Sequence, residues 1–139
     1  MTSSVTERVV LDASALVEAL IGTPLGIRVR ARIRGCELHA PAHLDAEALS
    51  ALGRLHRAGD LGSESVSAAL SELRIAPIAR HPIADLLAGA WAGRQQLGLM
   101  DALYVELSRS LGATLITTDG RLSRAFGPAE LLTELATDT

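Results

Sequence analysis

Lysine is absent from this chain of 139 residues, and cysteine, tryptophan, tyrosine and phenylalanine occur once each. Cys36, standing alone, cannot form an internal disulfide or furnish a thiolate zinc site, so neither device holds the domain together. A buried or partly buried thiol is expected there. With aromatic residues at 2%, stacking of bases on aromatic platforms is excluded as a main binding mode. No uncharged apolar run approaches the roughly 20 residues needed to cross a bilayer. The opening stretch Met1 to Thr6 is polar and lacks the succession of charged, apolar and small residues of a secretory signal, so a soluble, cytoplasmic protein is expected.

What remains is a chain with 48% hydrophobic residues. A chain of this length buries roughly two-thirds of its unfolded surface, so one domain over residues 1–139 is expected. The net charge of −3 argues at first against a nucleic-acid partner, because phosphate binding wants a basic surface. All 13 basic residues are arginine, however, the side chain suited to bidentate phosphate contact. Several acids could also be gathered round a cation instead of facing a polyanion.

Apolar spacing lays out the elements. Arg8 to Asp12 reads as a strand and Ala13 to Ile21 as a helix, so Asp12 falls where one gives way to the other. Thr23 and Pro24 cap and open a second helix that runs to Gly35. Glu37 to Ala40 is a weak strand ended by Pro41, and Ala42 to Ala58 is a third helix containing Glu47. Ser63 opens a fourth helix, Ile75 to Ala79 reads as a third strand, and Pro82 opens a fifth helix with Ile83, Leu86, Leu87, Ala90 and Trp91 inward. Asp101 to Leu111 is a sixth helix stopped by Gly112. Ala113 to Thr117 is the clearest strand, and a weaker apolar stretch, Ala129 to Leu135, follows. Strands separated by helices imply right-handed crossovers and a mostly parallel sheet in a three-layer α/β/α domain. In such sheets ligands gather outside the carboxyl ends of the strands, where Asp12 and Asp119 fall.

Four acids interrupt apolar stretches: Asp12, Glu47, Asp101 and Asp119. Charges so placed need arginine partners or a hard cation with oxygen ligands. Few arginines flank them, so Mg²⁺, with Mn²⁺ as a substitute, is the preferred resolution, and phosphodiester hydrolysis is the chemistry such a site serves. Helix capping by Asp12, Asp119 and Asp101, and a solvated Glu47, are the plainer alternatives. Arg28, Arg30, Arg32 and Arg34 form either a solvated face or a groove for an RNA backbone or an acidic segment. His39, His43, His56 and His81 show no paired metal spacing.

The segments VVLDASALVEAL, PAHLDAEALSAL and LMDALYVELSRSLGATLITTDGRL resemble those of PIN-domain ribonucleases. The Asp12-Ala13-Ser14 sequence and the chain length narrow the resemblance to the VapC toxins of bacterial toxin–antitoxin pairs. By that resemblance Asp12, Glu47, Asp101 and Asp119 are the catalytic, metal-holding acids, and Ser14 and Thr117 are supporting hydroxyls. It further implies a PIN-like sheet of about five strands, Mg²⁺-dependent endonucleolytic cleavage of tRNA or rRNA, a homodimer, and neutralisation by a cognate antitoxin. A strand-ending Asp12 also suits another Mg²⁺-dependent phosphohydrolase, and a catalytically silent interaction module of the same fold is the non-enzymatic alternative.

Overall fold

Five parallel strands form the sheet in the computed structural model, which describes residues 5–134. The strands are β1 (Arg8–Leu11), β2 (Glu37–Pro41), β3 (Ile78–His81), β4 (Thr114–Thr117) and β5 (Glu130–Leu131), arranged in the order β3-β2-β1-β4-β5. The helices are α1 (Ala13–Ile21), α2 (Pro24–Ile33), α3 (Leu44–Arg57), α4 (Ser63–Ile75), α5 (Leu87–Ala92), α6 (Leu99–Leu111) and α7 (Gly120–Ala125). A 3₁₀ turn at Ile83–Leu86 leads into α5.

The central strand explains the layering. Val9 and Leu11 point to one face, where Ala15 and Ala19 of α1 and Val29 of α2 cover them. Val10 belongs to the larger core that contains Leu103, Leu107 and Leu115. All three β1 residues are fully buried, as a parallel strand covered on both faces requires. Burying a side chain of this size contributes roughly 1.5–3 kcal/mol. The chain leaves β1 for β2 on one side and reaches β4 on the other, so the topological switch point lies between β1 and β4. A cleft opens at the carboxyl ends of those two strands.

Helix ends follow local chemistry. Gly22 and Gly112 close α1 and α6 in left-handed conformations, with φ of 73° and 61°, which glycine adopts without steric cost. Thr23 caps α2 by accepting from Gly26 N at 2.9 Å, with Pro24 at the first helical position.

The structure departs from the sequence expectations in several places. The third strand begins at Ile78 instead of Ile75, because α4 continues to Ile75 and Pro77 sets the boundary. The residue before a proline is driven out of the helical region, and Ala76 has ψ of 137°. Arg80 then serves both elements: it donates to the Leu73 and Ala76 carbonyls at the end of α4 and pairs with Asp45 at 2.9 Å. The expected fifth helix divides into the 3₁₀ turn and α5. Only Leu86 and Ala90 are buried there, and Leu87 and Trp91 are exposed. Each follows an inward residue by one position and so points about 100° away from it. The sixth helix starts two residues early, at Leu99, with Gly98 as its cap, so Asp101 lies in its first turn and does not cap it. Finally, Gly120–Ala125 forms a helix the apolar pattern did not mark, and the terminal apolar stretch contributes only the two-residue β5, with Leu135 outside the described residues.

Arg32 secures that short last strand. Its guanidinium bonds Glu130 of β5 at 2.7 Å and Glu7, just before β1, at 2.7 Å. The side chain is largely covered and its partners are partly exposed, so Arg32→Gln is expected to cost about 1 kcal/mol at low salt. Urea unfolding at low and high ionic strength measures it. An equal loss at 1 M salt would assign the effect to packing and not to charge.

Candidate active site

Asp12 ends β1 and caps α1, its Oδ1 accepting from Ala15 N at 2.9 Å and from Ser14 Oγ at 2.7 Å. Its Oδ2 accepts from the Thr117 hydroxyl at the end of β4. The carboxylate is only 4% exposed. Burial pushes its pKa up to about 6, against the pull of the Thr117, Ala15 and Ser14 hydrogen bonds. Ser14 and Thr117 connect the two strand ends: Thr118 N donates to Ser14 Oγ at 3.1 Å, and Asp119 N donates to Thr117 Oγ1 at 2.9 Å. Asp119 follows β4 and caps α7 through Arg121 N at 2.9 Å. Capping is therefore present at Asp12 and Asp119 in addition to any other role.

The other two acids come from opposite walls. Glu47, Ala51 and Arg54 recur at helical spacing along α3, while Ala48 and Leu52 point into the core. On α6, Asp101 and Tyr104 are one turn apart and line the same cleft. The cleft encloses about 300 Å³, and Asp12, Ser14, Glu47, Asp101 and Asp119 all line it. Thr117 is fully buried behind Asp12. Burial raises the Asp101 carboxyl pKa, and repulsion from Asp119 and then Glu47 raises it further.

This donor set suits a hard cation. Carboxylates from four chain segments and two hydroxyls converge, Asp101 is raised by its own neighbours, and the lining arginine, Arg54, donates to Ser50 on its own helix at 2.9 Å. Among the described residues no three His, Cys, Asp or Glu side chains stand close enough together to hold a metal ion by themselves. Mg²⁺ is content with one or two carboxylates and completes its shell with water and substrate phosphate.

Tyr104 and His43 were not singled out by the sequence. Tyr104 Oη donates to Glu47 Oε1 at 2.7 Å, and burial, then that hydrogen bond, push the phenol's pKa up. The His43 ring packs on Tyr104 at 4.7 Å between centroids, and its Nε2 lies 3.1 Å from the Met100 carbonyl. The one available signal was the position of Tyr104 three residues after Asp101. Glu18, Arg54 and Thr118 also line the cleft.

The arginine run of α2 does not line it. Arg30 bonds the Ala19 carbonyl and Glu72, and Arg32 is held by Glu7 and Glu130. Asp45 is paired with Arg80, Asp85 is exposed, and Glu106 lines a different hollow beside Gly89. His39 is buried between Glu37 and His81, at 2.7 and 2.8 Å, away from the cleft.

Residues 9–127 match the family model described as PIN domain. The chain is 54% identical over 127 residues to Ribonuclease VapC3 of Mycobacterium tuberculosis, covering 91% of this chain and 93% of that one. Among solved structures, PAE2754 from Pyrobaculum aerophilum is similar with a TM-score of 0.65 and 25% identity, over 89% of this chain and 82% of that one. A toxin–antitoxin complex from Klebsiella pneumoniae shares the fold, with a TM-score of 0.62 and 16% identity over 91% and 98% of the two chains. On the family model and the extent of its identity to VapC3, this chain belongs to the PIN-domain family and, within it, to the VapC ribonucleases.

Proposed function

We propose that this protein is a Mg²⁺-dependent endoribonuclease toxin in which Asp12, Glu47, Asp101 and Asp119 hold the cation, Mn²⁺ being a workable substitute. The observation that carries the reading is the meeting of those acids in one cleft at the switch point of a PIN-family sheet. Identity to a protein named as a ribonuclease supports RNA as the substrate. When bound, the cation would lower the pKa of a water to make the nucleophile and stabilise the leaving oxygen.

The chain's own residues supply placement. Ser14 and Thr117 orient the Asp12 carboxylate, so that two strand ends and two acids keep a fixed separation. Glu47 and Asp101 bring charge from the facing helices. Arg54, on the Glu47 stripe of α3, is placed to meet a phosphate beside the one being cleaved. The RNA cut by the toxin would be tRNA or rRNA, and a cognate antitoxin would bind and silence it; a toxin–antitoxin complex from Klebsiella pneumoniae has the same fold. Among the described residues no helix is long and apolar enough to cross a membrane. We place the toxin in the cytoplasm, where its RNA substrates are. The exposed Leu87 and Trp91 of α5 offer apolar surface for a homodimer.

Total RNA incubated with the purified protein is expected to give discrete internal fragments with Mg²⁺ or Mn²⁺ and none with EDTA. Fragments that persist in EDTA would refute the metal-dependent mechanism. Release of single nucleotides from RNA ends would replace the endonuclease reading with an exonuclease.

A further inference from the structure

We propose that Tyr104 is a positioning residue that fixes Glu47 for divalent-cation binding, with His43 as the second contact of the same clamp. This rests on the metal reading of the cleft. Tyr104 is 1% exposed, and its hydroxyl donates to Glu47 Oε1 at 2.7 Å. His43 Nε2 stands 3.5 Å from the same oxygen. Both contacts therefore fall on Oε1, and among the described residues Oε2 has no protein partner. One oxygen is tied to the wall and the other is left for the cleft.

The clamp answers a local problem. Glu47 is in the first turn of α3, its side chain is 30% exposed, and the cap of that helix makes no side-chain hydrogen bond. A glutamate there has three torsions to fix before it can ligate anything, and each ordered rotamer costs free energy. A rigid buried phenol supplies a donor whose own position is already set by the core. His43 keeps the geometry: its Nδ1 is buried without a hydrogen-bond partner among the described residues, while Nε2 faces two acceptors, the Met100 carbonyl and Glu47. Because Asp101 lies one turn before Tyr104 on α6, the same contact sets the spacing between Glu47 and Asp101 across the cleft. Partners that orient a metal ligand through its other atoms typically change metal affinity 10- to 100-fold.

The test measures Mn²⁺ binding calorimetrically without RNA. Tyr104→Phe keeps the ring and removes the hydroxyl, and its Mn²⁺ Kd is expected to rise roughly tenfold. Glu47→Gln should also weaken binding, and the double variant should bind no more weakly than Glu47→Gln alone, since Tyr104 acts only through Glu47. Wild-type affinity in Tyr104→Phe, or additive losses in the double variant, would overturn the clamp while leaving the metal site intact. Absence of Mn²⁺ binding by the wild-type protein would overturn both. Tyr104 is the one tyrosine in the chain, so the unaltered protein also reports on it. Its ultraviolet difference band should shift during Mg²⁺ titration with the midpoint of binding, and a saturating titration that leaves the band unmoved would equally overturn the clamp.

Discussion

Asp12→Asn is expected to reduce RNA cleavage by more than about a hundredfold and, without divalent cations, to make the protein more stable at neutral pH. The activity loss follows from removing a proposed metal ligand, which should exceed the 10- to 100-fold effect of removing a residue that merely orients one. The stability gain follows from the sign of the Asp12 shift. Its carboxyl pKa is raised from 3.8 to about 6 by burial, so between about pH 4 and 6 the folded state holds a proton that the unfolded chain has already released, and above pH 6 it carries a buried charge. Stability contributed by this group is full below pH 4, falls as pH rises towards 6, and is then lower by a constant amount. About two units at about 1.4 kcal/mol each puts that deficit near 3 kcal/mol. Asparagine has no charge to desolvate, but its amide must face the Thr117 hydroxyl that now donates to the carboxylate. The net gain expected at pH 7.5 in EDTA is therefore about 1–2 kcal/mol, shrinking to nothing or reversing at pH 4. Thermal unfolding at the two pH values measures it. A variant destabilised equally at both would show that Asp12 is held by its hydrogen bonds without a desolvation penalty. Added Mg²⁺ should raise the wild-type melting temperature and leave the variant nearly unchanged.

Among the glycines, Gly26→Ala should be the most disruptive replacement by alanine. A Cβ at Gly26 would stand 1.8 Å from the Glu18 carbonyl oxygen and 2.4 Å from its carbon. No rotamer relieves a clash with backbone, so α2 must move away from α1. The movement would unseat Val29 from Val9, Leu11, Ala15 and Ala19, and would strain the Thr23 cap and its 2.5 Å bond to Glu18. Overpacking usually costs 1–3 kcal/mol, and a backbone collision places this case at about 3 kcal/mol or more. For a chain of this length that corresponds to a fall in Tm of roughly 10 °C. A variant melting within about 2 °C of wild type would show that the helices can part without loss. The effect reaches the active site indirectly, because α1 begins at Asp12.

Much of this architecture was legible in the sequence, for identifiable reasons. The β1 to α1 passage, the Thr23-Pro24 start and the Gly112 stop are written in local chemistry, so their elements fell within a residue or two of place. The convergence of Asp12, Asp101 and Asp119 on one cleft was legible because charges interrupting apolar stretches need a compensating environment, whereas Glu47 was expected there chiefly from the family resemblance. What was not legible depends on contacts across the chain. Ile75 is apolar and looks like strand, yet it is 80% exposed at the end of α4. Arg80 and His81 are polar and look like loop, yet they complete an edge strand whose polar side chains are paid for by tertiary partners. Trp91 was expected inward because it is large and apolar, but α5 is six residues long and offers the core a single stripe. Tyr104 carried only the faint signal of its place one turn after Asp101, because its contact with Glu47 spans 57 residues, and the local pair of His43 with Glu47 four residues on was not weighed.

The order of the strands also bears on the making of the protein. β1 emerges first from the ribosome and waits in the middle of the sheet, paired on one side with β2, until β4 arrives to close the other. Asp101 and Asp119 come with that late portion, and the hydroxyl of Thr117 that holds Asp12 comes with it too. A chain that stops before β4 thus lacks Asp119 and the Thr117 hydroxyl, and its Asp12 has no β4 strand beside it. The contact that holds the Asp12 carboxylate is therefore completed only once β4 has joined the sheet.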